Sequence, residues 1–281
     1  MTVFLNGEFV PEDRAVVSVF DRSFRYGDGL FETALISTGG LFRWPQHYDR
    51  LRRSAVFLRI PLPHARESLR DAILELAARN QTAEGIARVT LSRGIGPRGY
   101  APSGTEQPTI VITTQPRASA DDVPWKVIVS SMRVASGDPV ARHKTASRLL
   151  NVLAATEAKE RGAHEALLVD TDGNVTEGTS SNVFWIKDGN VFTPPLSSAL
   201  LPGVTRNVVF ELCEGMSIPC AQESSPLKKI LRSDSVFLSL TSRGIVPVDY
   251  INECVVPQSP LAARLGAAYW DLVRRECASK G

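Results

Sequence analysis

Apolar residues recur along the chain in two periods, one of two residues and one of three to four, and they change over several times. The opening residues alternate around Asn6-Gly7, and Ala15 to Phe20 forms a second short apolar run, so an N-terminal hairpin is predicted. From His47 to Leu58 the apolar positions Leu51, Ala55 and Leu58 take helical spacing. Glu67 to Ala78 repeats it with Leu69, Ile73 and Leu76. Ala87 to Leu91 and Thr109 to Thr114 read as strands around the glycine- and proline-rich loop SRGIGPRGYAPSG. A polar, proline-bounded stretch at residues 116–124 separates an N-terminal α/β domain, 1–115, from a C-terminal domain, 125–281.

Beyond the linker, Lys126 to Val134 reads as a strand, Thr145 to Arg161 as a helix ending at Gly162, and Glu165 to Asp170 as another strand. Asn182 to Ile186 and Asn190 to Thr193 flank Lys187-Asp188-Gly189 as a hairpin, and Pro202-Gly203 precedes a helix over Val204 to Cys213. Val236 to Leu240 is a further strand and Pro260 to Glu276 a closing helix. No internal repeat is visible. Strands and helices intermixed in this way predict a two-domain α+β protein with mixed sheets.

Composition narrows the class. With 281 residues, 43% apolar and 22% charged, the chain can bury a sizeable core. A formal charge of +2 without basic blocks argues against nucleic acid. No stretch has the length and apolarity of a membrane span, and the start MTVFLNGEFV has no apolar leader, so a cytoplasmic protein is expected. The four cysteines lack C-x-x-C spacing and the four histidines lack i, i+4 spacing, so neither a metal nor a disulfide framework is implied.

Several residues could carry chemistry. Lys144, in RHKTASRLLN, sits where a turn gives way to a helix, beside His143 and Arg148, and a lysine near other cations is more easily deprotonated for attack on an aldehyde. Glu177, in VTEGTSSN, could hold a protonated ring nitrogen. In LLPGVTRN, a glycine followed by Val204 and Thr205 opens a helix whose free N–H groups suit an anion, and Thr241 and Ser242 offer hydroxyls after a later strand. Arg50, in HYDRLRRSA, has the forked donors that match a phosphate. Arg98 and Tyr100 in the glycine-rich loop could meet a carboxylate. Taken one at a time, each has an ordinary alternative: a solvated lysine, a turn acid, a plain helix cap, a loop arginine in water.

Together they resemble a known family. DRSFRYGDGLFET, HYDRLRRS, a lysine before a helix, EALLVDTDGNVTEGTSSNVF, LLPGVTR and FLSLTSRGIVPV follow the order and spacing of the fold-type IV pyridoxal-phosphate (PLP) enzymes. That family includes branched-chain and D-amino-acid aminotransferases and aminodeoxychorismate lyase. The resemblance implies PLP as cofactor, with Lys144 as its Schiff-base lysine, Glu177 at the pyridine nitrogen, and Arg50, Val204, Thr205, Thr241 and Ser242 at the phosphate. It sets Leu201 against the ring and Phe31, Leu35, Arg98 and Tyr100 toward the substrate. It also implies a small N-terminal α/β domain, a larger domain with a barrel-like sheet, and a homodimer that shares residues between active sites.

Within the family, SRGIGPRGY, the pair Arg148-Leu149, and AHEALLVDTDGNVTE followed by NVFWIKDGNVFTP look closest to aminodeoxychorismate lyase. The expected reaction is therefore release of pyruvate and 4-aminobenzoate from 4-amino-4-deoxychorismate. The alternative is an aminotransferase of D-amino acids, branched-chain amino acids or amines. Arg98-Gly99-Tyr100 approximates the R-x-H pattern of the D-amino-acid enzymes, and Leu35 stands where many members carry a basic residue.

Overall fold

The computed structural model describes residues 1–104, 106–117 and 123–278. The chain divides into two compact units, one of Met1–Ser119, His143–Arg148 and Val273–Gly281, the other of Ala120–Arg142 and Leu149–Leu272. The short segment carrying Lys144 thus folds with the first unit. Of the expected linker, residues 118–122 lie outside the described residues.

The first unit opens with the hairpin β1 (Thr2–Leu5) and β2 (Glu8–Pro11), in register from Thr2↔Pro11 to Leu5↔Glu8. Asn6 (φ 50°) and Gly7 (φ 99°) supply the two positive-φ turn residues that match the twist of such a pair. The apolar run Ala15 to Phe20 is no strand; Val16, Val17, Val19 and Phe20 are exposed. After α1 (Arg22–Tyr26) come β3 (Gly29–Ser37), β4 (Gly40–Leu41), α2 (Trp44–Leu58), α3 (Arg66–Arg79), β5 (Gly85–Ser92) and β6 (Thr109–Pro116). The six strands form an antiparallel sheet in the order β2-β1-β6-β5-β3-β4. Leu51 and Ala55 of α2 and Leu69, Ile73 and Leu76 of α3 meet Leu30, Ala34 and Ile36 of β3 in its core. Each large apolar side chain so buried contributes about 2 kcal/mol.

The second unit holds β7 (Trp125–Val134), α4 (Leu149–Glu160), β8 (Glu165–Asp170), β9 (Val175–Gly178), β10 (Asn182–Lys187), β11 (Asn190–Thr193), α5 (Val204–Gly215), β12 (Cys220–Gln222), α6 (Leu227–Ile230), β13 (Ser235–Leu240), β14 (Gly244–Ile251) and β15 (Cys254–Val255). The closing helix α7 spans Pro260–Ala278. Eight strands run β12-β11-β10-β13-β14-β7-β8-β9, with β15 on β14, and this mixed sheet curls into the expected barrel-like half-barrel. No helix among the described residues is long and apolar enough to cross a membrane.

One helix starts late. The spacing predicts α4 from Thr145, yet it begins at Leu149, because residues 144–146 hydrogen-bond to β3 instead. Phe31 N donates to Lys144 O at 2.9 Å, Ala146 N donates to Gly29 O at 2.8 Å, and Leu30 and Thr145 form an isolated bridge. Backbone groups committed to a strand cannot also propagate a helix.

Candidate active site

These two bonds hold Lys144 beside the start of β3, and its Nζ lies 4.5 Å from the centroid of the Phe31 ring. Two guanidiniums share that ring, Arg88 at 3.8 Å and Arg148 at 5.8 Å. Arg148 also donates to the carbonyls of Thr145 (3.1 Å) and His143 (3.0 Å), which braces the loop. His143 stacks on Phe57 at 4.0 Å and its Nδ1 lies 3.0 Å from Ser54 Oγ. Leu35, two steps beyond Thr33 on the Phe31 face of β3, is fully buried.

Arg50 projects from α2 onto Glu32. Its Nε donates to Oε1 at 2.7 Å and its Nη2 to Oε2 at 2.8 Å, while His47 Nδ1 stands 2.9 Å from Oε2. All three side chains are buried. Burial alone would raise the Glu32 pKa, but the charge and hydrogen bonds of Arg50, with a smaller part from His47, hold it at about 2. Burial pushes His47 below its ordinary value, against the pull of Glu32, so at neutral pH the ring is neutral and donates from Nδ1. Sequence reasoning singled out Arg50 but missed Glu32, His47 and Arg88. Only the spacing of His47 and Arg50, three residues apart on one helix, was there to be read.

The loop after β5 is pinned by its backbone. Arg22 is buried and donates to Gly99 O (2.9 Å), Tyr100 O (2.6 Å) and Asp28 Oδ2 (2.8 Å), and Gly99 N donates to Tyr26 Oη at 3.0 Å. The side chains of Arg98 and Tyr100 point outward, and the Tyr100 ring meets Tyr26 rather than Phe31.

In the second unit the expected positions gather around Asn182. Its Nδ2 donates to Leu201 O at 2.9 Å and to Glu177 Oε2 at 3.3 Å, and Leu201 N donates to the same Glu177 oxygen at 2.9 Å. Gly203 caps α5 without a side-chain partner, and a Cβ there would stand 2.0 Å from Asn182 Oδ1, so only glycine lets the helix start so close. Asn182 also pairs with Ser239 of β13, the strand that leads into the turn of Thr241 and Ser242. The first turn of α5 holds no acidic residue and buries Val204 and Thr205. The turn after Glu177 hangs on Glu165, which accepts from the amides of Thr179 (3.0 Å) and Ser180 (3.2 Å) and the hydroxyls of Thr179, Ser180 and Ser181.

Residues 29–251 match the family model of class IV aminotransferases. The chain belongs to that family. A Methanocaldococcus jannaschii protein assigned as a branched-chain-amino-acid aminotransferase is 35% identical over 91% of this chain and 90% of its own length. D-alanine aminotransferase of Staphylococcus haemolyticus is 33% identical over 88% and 87%. Among solved structures, the Escherichia coli branched-chain amino acid aminotransferase superposes with a TM-score of 0.92 at 27% identity, covering 96% of this chain and 94% of that one. A Legionella pneumophila protein assigned as 4-amino-4-deoxychorismate lyase gives 0.88 at 26%, covering 93% and 98%.

Class IV aminotransferases are PLP enzymes, and this one is a PLP-dependent transaminase or lyase with small amino or keto acids as substrates. The donors present fit that cofactor. The uncapped, acid-free start of α5, with the Thr205 hydroxyl in its first turn, suits a phosphate, and Glu177 offers a carboxylate to a ring nitrogen. The lyase expected from the sequence is represented among the structures, but the relatives just described by sequence are aminotransferases.

Proposed function

We propose that this class IV aminotransferase transfers an amino group between amino and keto acids, rather than expelling pyruvate as a lyase. The observation that carries this reading is the likeness to branched-chain and D-alanine aminotransferases at 35% and 33% identity, and the placing of Arg88 fits it. Arg88 stands opposite Thr33 on the Phe31 face of β3, with its guanidinium 3.8 Å from the ring that also receives Lys144, and it pairs with no carboxylate among the described residues. An arginine so placed is a ready receptor for the carboxylate of an amino or keto acid. The branched-chain and D-alanine aminotransferase relatives support the same substrate classes.

When bound, PLP supplies an electron-withdrawing ring that lowers the cost of removing the substrate's α-proton. Lys144 would hold the cofactor through its aldehyde, and its Nζ is the base that would move the substrate's α-proton. Glu177 would hold the proton on the ring nitrogen, Leu201 would lie against the ring, and Arg50, Val204, Thr205, Thr241 and Ser242 would take the phosphate. Phe31 and Leu35 would shape the substrate side, and the outward-pointing Arg98 and Tyr100 would reach a substrate only from one protomer of a dimer to its partner. The test is PLP-loaded protein with leucine, isoleucine or D-alanine against 2-oxoglutarate or pyruvate. Amino transfer is expected, and Lys144→Ala should abolish it. Pyruvate release from aminodeoxychorismate without any keto-acid acceptor, and no transfer from the amino acids, would replace this reading with the lyase favoured by SRGIGPRGY and Arg148-Leu149.

The working form we infer is a homodimer. Phe20, Phe24 and Ile95 are 60%, 76% and 59% exposed, too much apolar aromatic and aliphatic surface to leave in water. Phe20 and Ile95 adjoin, since Gly96 N donates to Phe20 O and Asp21 bridges Ile95. Light scattering should give twice the chain mass; a monomer at micromolar concentration would count against it.

A further inference from the structure

Arg22, in α1, is only 1% exposed, as deeply buried as the apolar core around it. A guanidinium tolerates such burial where its donors meet acceptors in its own plane. Here Nε donates to Asp28 Oδ2 at 2.8 Å, while Nη1 and Nη2 take two successive carbonyls from the outer turn of the loop after β5, those of Gly99 and Tyr100. The same loop packs on the arginine's stem, since a Cβ on Gly96 would stand 2.8 Å from Arg22 Cδ. Asp28 is itself fixed by Arg93, whose Nε and Nη2 donate to its two oxygens at 2.7 and 3.0 Å and whose guanidinium also meets the carbonyls of Leu58 and Arg59 at the end of α2. One carboxylate thus serves two arginines with different errands: Arg22 directs its donors to the outer turn, Arg93 to α2.

We propose that Arg22 is a positioning residue for the substrate: its guanidinium fixes the path of the backbone from which Arg98 and Tyr100 project. This rests on the proposed function, in which those two side chains reach a substrate from one protomer of a dimer to its partner. A loop binds a small carboxylate well when its backbone is ordered before the ligand arrives, because the entropy of ordering it is otherwise subtracted from the affinity. The clamp supplies that order through Gly99 and Tyr100. Releasing it weakens substrate binding and leaves the groups at Lys144 in place, since the engaged nitrogens of Arg22 face Asp28 and the loop.

The experiment compares wild type with Arg22→Lys, Arg93→Lys and an Arg98→Ala, Tyr100→Ala double variant, with circular dichroism and light scattering confirming fold and mass. A lysine keeps the charge, but its single nitrogen cannot serve Asp28 and two carbonyls together. Hydrogen–deuterium exchange across residues 96–104 reads the clamp, and initial rates with leucine and with D-alanine against 2-oxoglutarate read its consequence. Arg22→Lys should speed exchange in that segment, raise KM roughly tenfold and leave kcat within about twofold. Arg93→Lys loosens the other arginine on the same carboxylate, so it should lower thermal stability without either change. If Arg22→Lys does not fold or loses the wild-type mass, Gly96→Ala pushes the loop off the arginine stem with every donor and acceptor kept, and carries the same expectation with a smaller rise. Unchanged exchange in the loop, a fall in kcat as large as the rise in KM, or equal effects from Arg93→Lys would overturn the positioning role. A double variant that keeps the wild-type KM overturns instead the reading of Arg98 and Tyr100 as substrate-facing.

Discussion

Two buried carboxylates in this molecule are held in opposite ways. Glu32, in the first unit, is locked by a full positive charge at 2.7 and 2.8 Å and by a histidine ring. Glu177, in the second, has one oxygen on neutral donors, the Leu201 amide and the Asn182 side chain. Its neighbour in the sheet, Glu165, is likewise held by amides and hydroxyls. A carboxylate neutralised by an arginine is a structural fixture with little left to offer a ligand's proton. One held by dipoles is, in the proposed function, the group offered to a pyridine nitrogen. The first arrangement therefore belongs to the fold, and in the proposed function the second belongs to the chemistry.

The larger expected effect breaks the Glu32 side of this comparison with acid. The folded Glu32 titrates at about 2 against an ordinary 4.5. On acidification the unfolded chain takes up the proton first, so the stabilisation is whole above pH 4.5 and is lost as the pH falls toward 2. The shift corresponds to about 3 kcal/mol at 1.36 kcal/mol per pKa unit. His47, whose pKa is lowered by burial, adds a loss of the same sign beginning below 6.5. Urea denaturation followed from pH 7 to pH 3 should show wild type losing stability more steeply than Glu32→Gln. Parallel curves would mean that the Arg50 fork contributes no net stability.

How much of this was legible in the sequence differs between the two carboxylates. Glu177 stood out because its signal is local: an acid at a strand end before Gly178, with LLPGVTR downstream. The periodicity of α2, α3 and α5 and the Lys187-Asp188-Gly189 hairpin were equally local, and the structure has them. Glu32 was invisible because its meaning depends on a helix that begins twelve residues further on, and no one-dimensional period couples a strand acid to a helix arginine. The late start of α4 escaped for the same reason, since the competitor for the Thr145–Arg148 backbone is β3, more than a hundred residues upstream. Arg88 was read only as part of a strand; its place beside Phe31 follows from the β3–β5 register, Thr33↔Arg88.

The smaller effect sharpens the Glu177 side. Glu177→Gln keeps a side-chain carbonyl that can accept from Leu201 N and Asn182 Nδ2, so the start of α5 and its phosphate donors should stay in place. What it removes is the negative charge that the proposed function sets against the ring nitrogen. A hydrogen bond to a charged group is worth about 1.5–3 kcal/mol, so kcat for amino transfer should fall by roughly tenfold to a hundredfold, at 1.4 kcal/mol per tenfold. PLP affinity should change far less, because the phosphate donors are intact. Stopped-flow turnover and absorbance titration of the same preparation separate the two quantities. If affinity collapses while kcat of the loaded enzyme survives, Glu177 is a structural fixture after all, and the division between a cation-held carboxylate for the fold and a dipole-held one for chemistry does not describe this molecule.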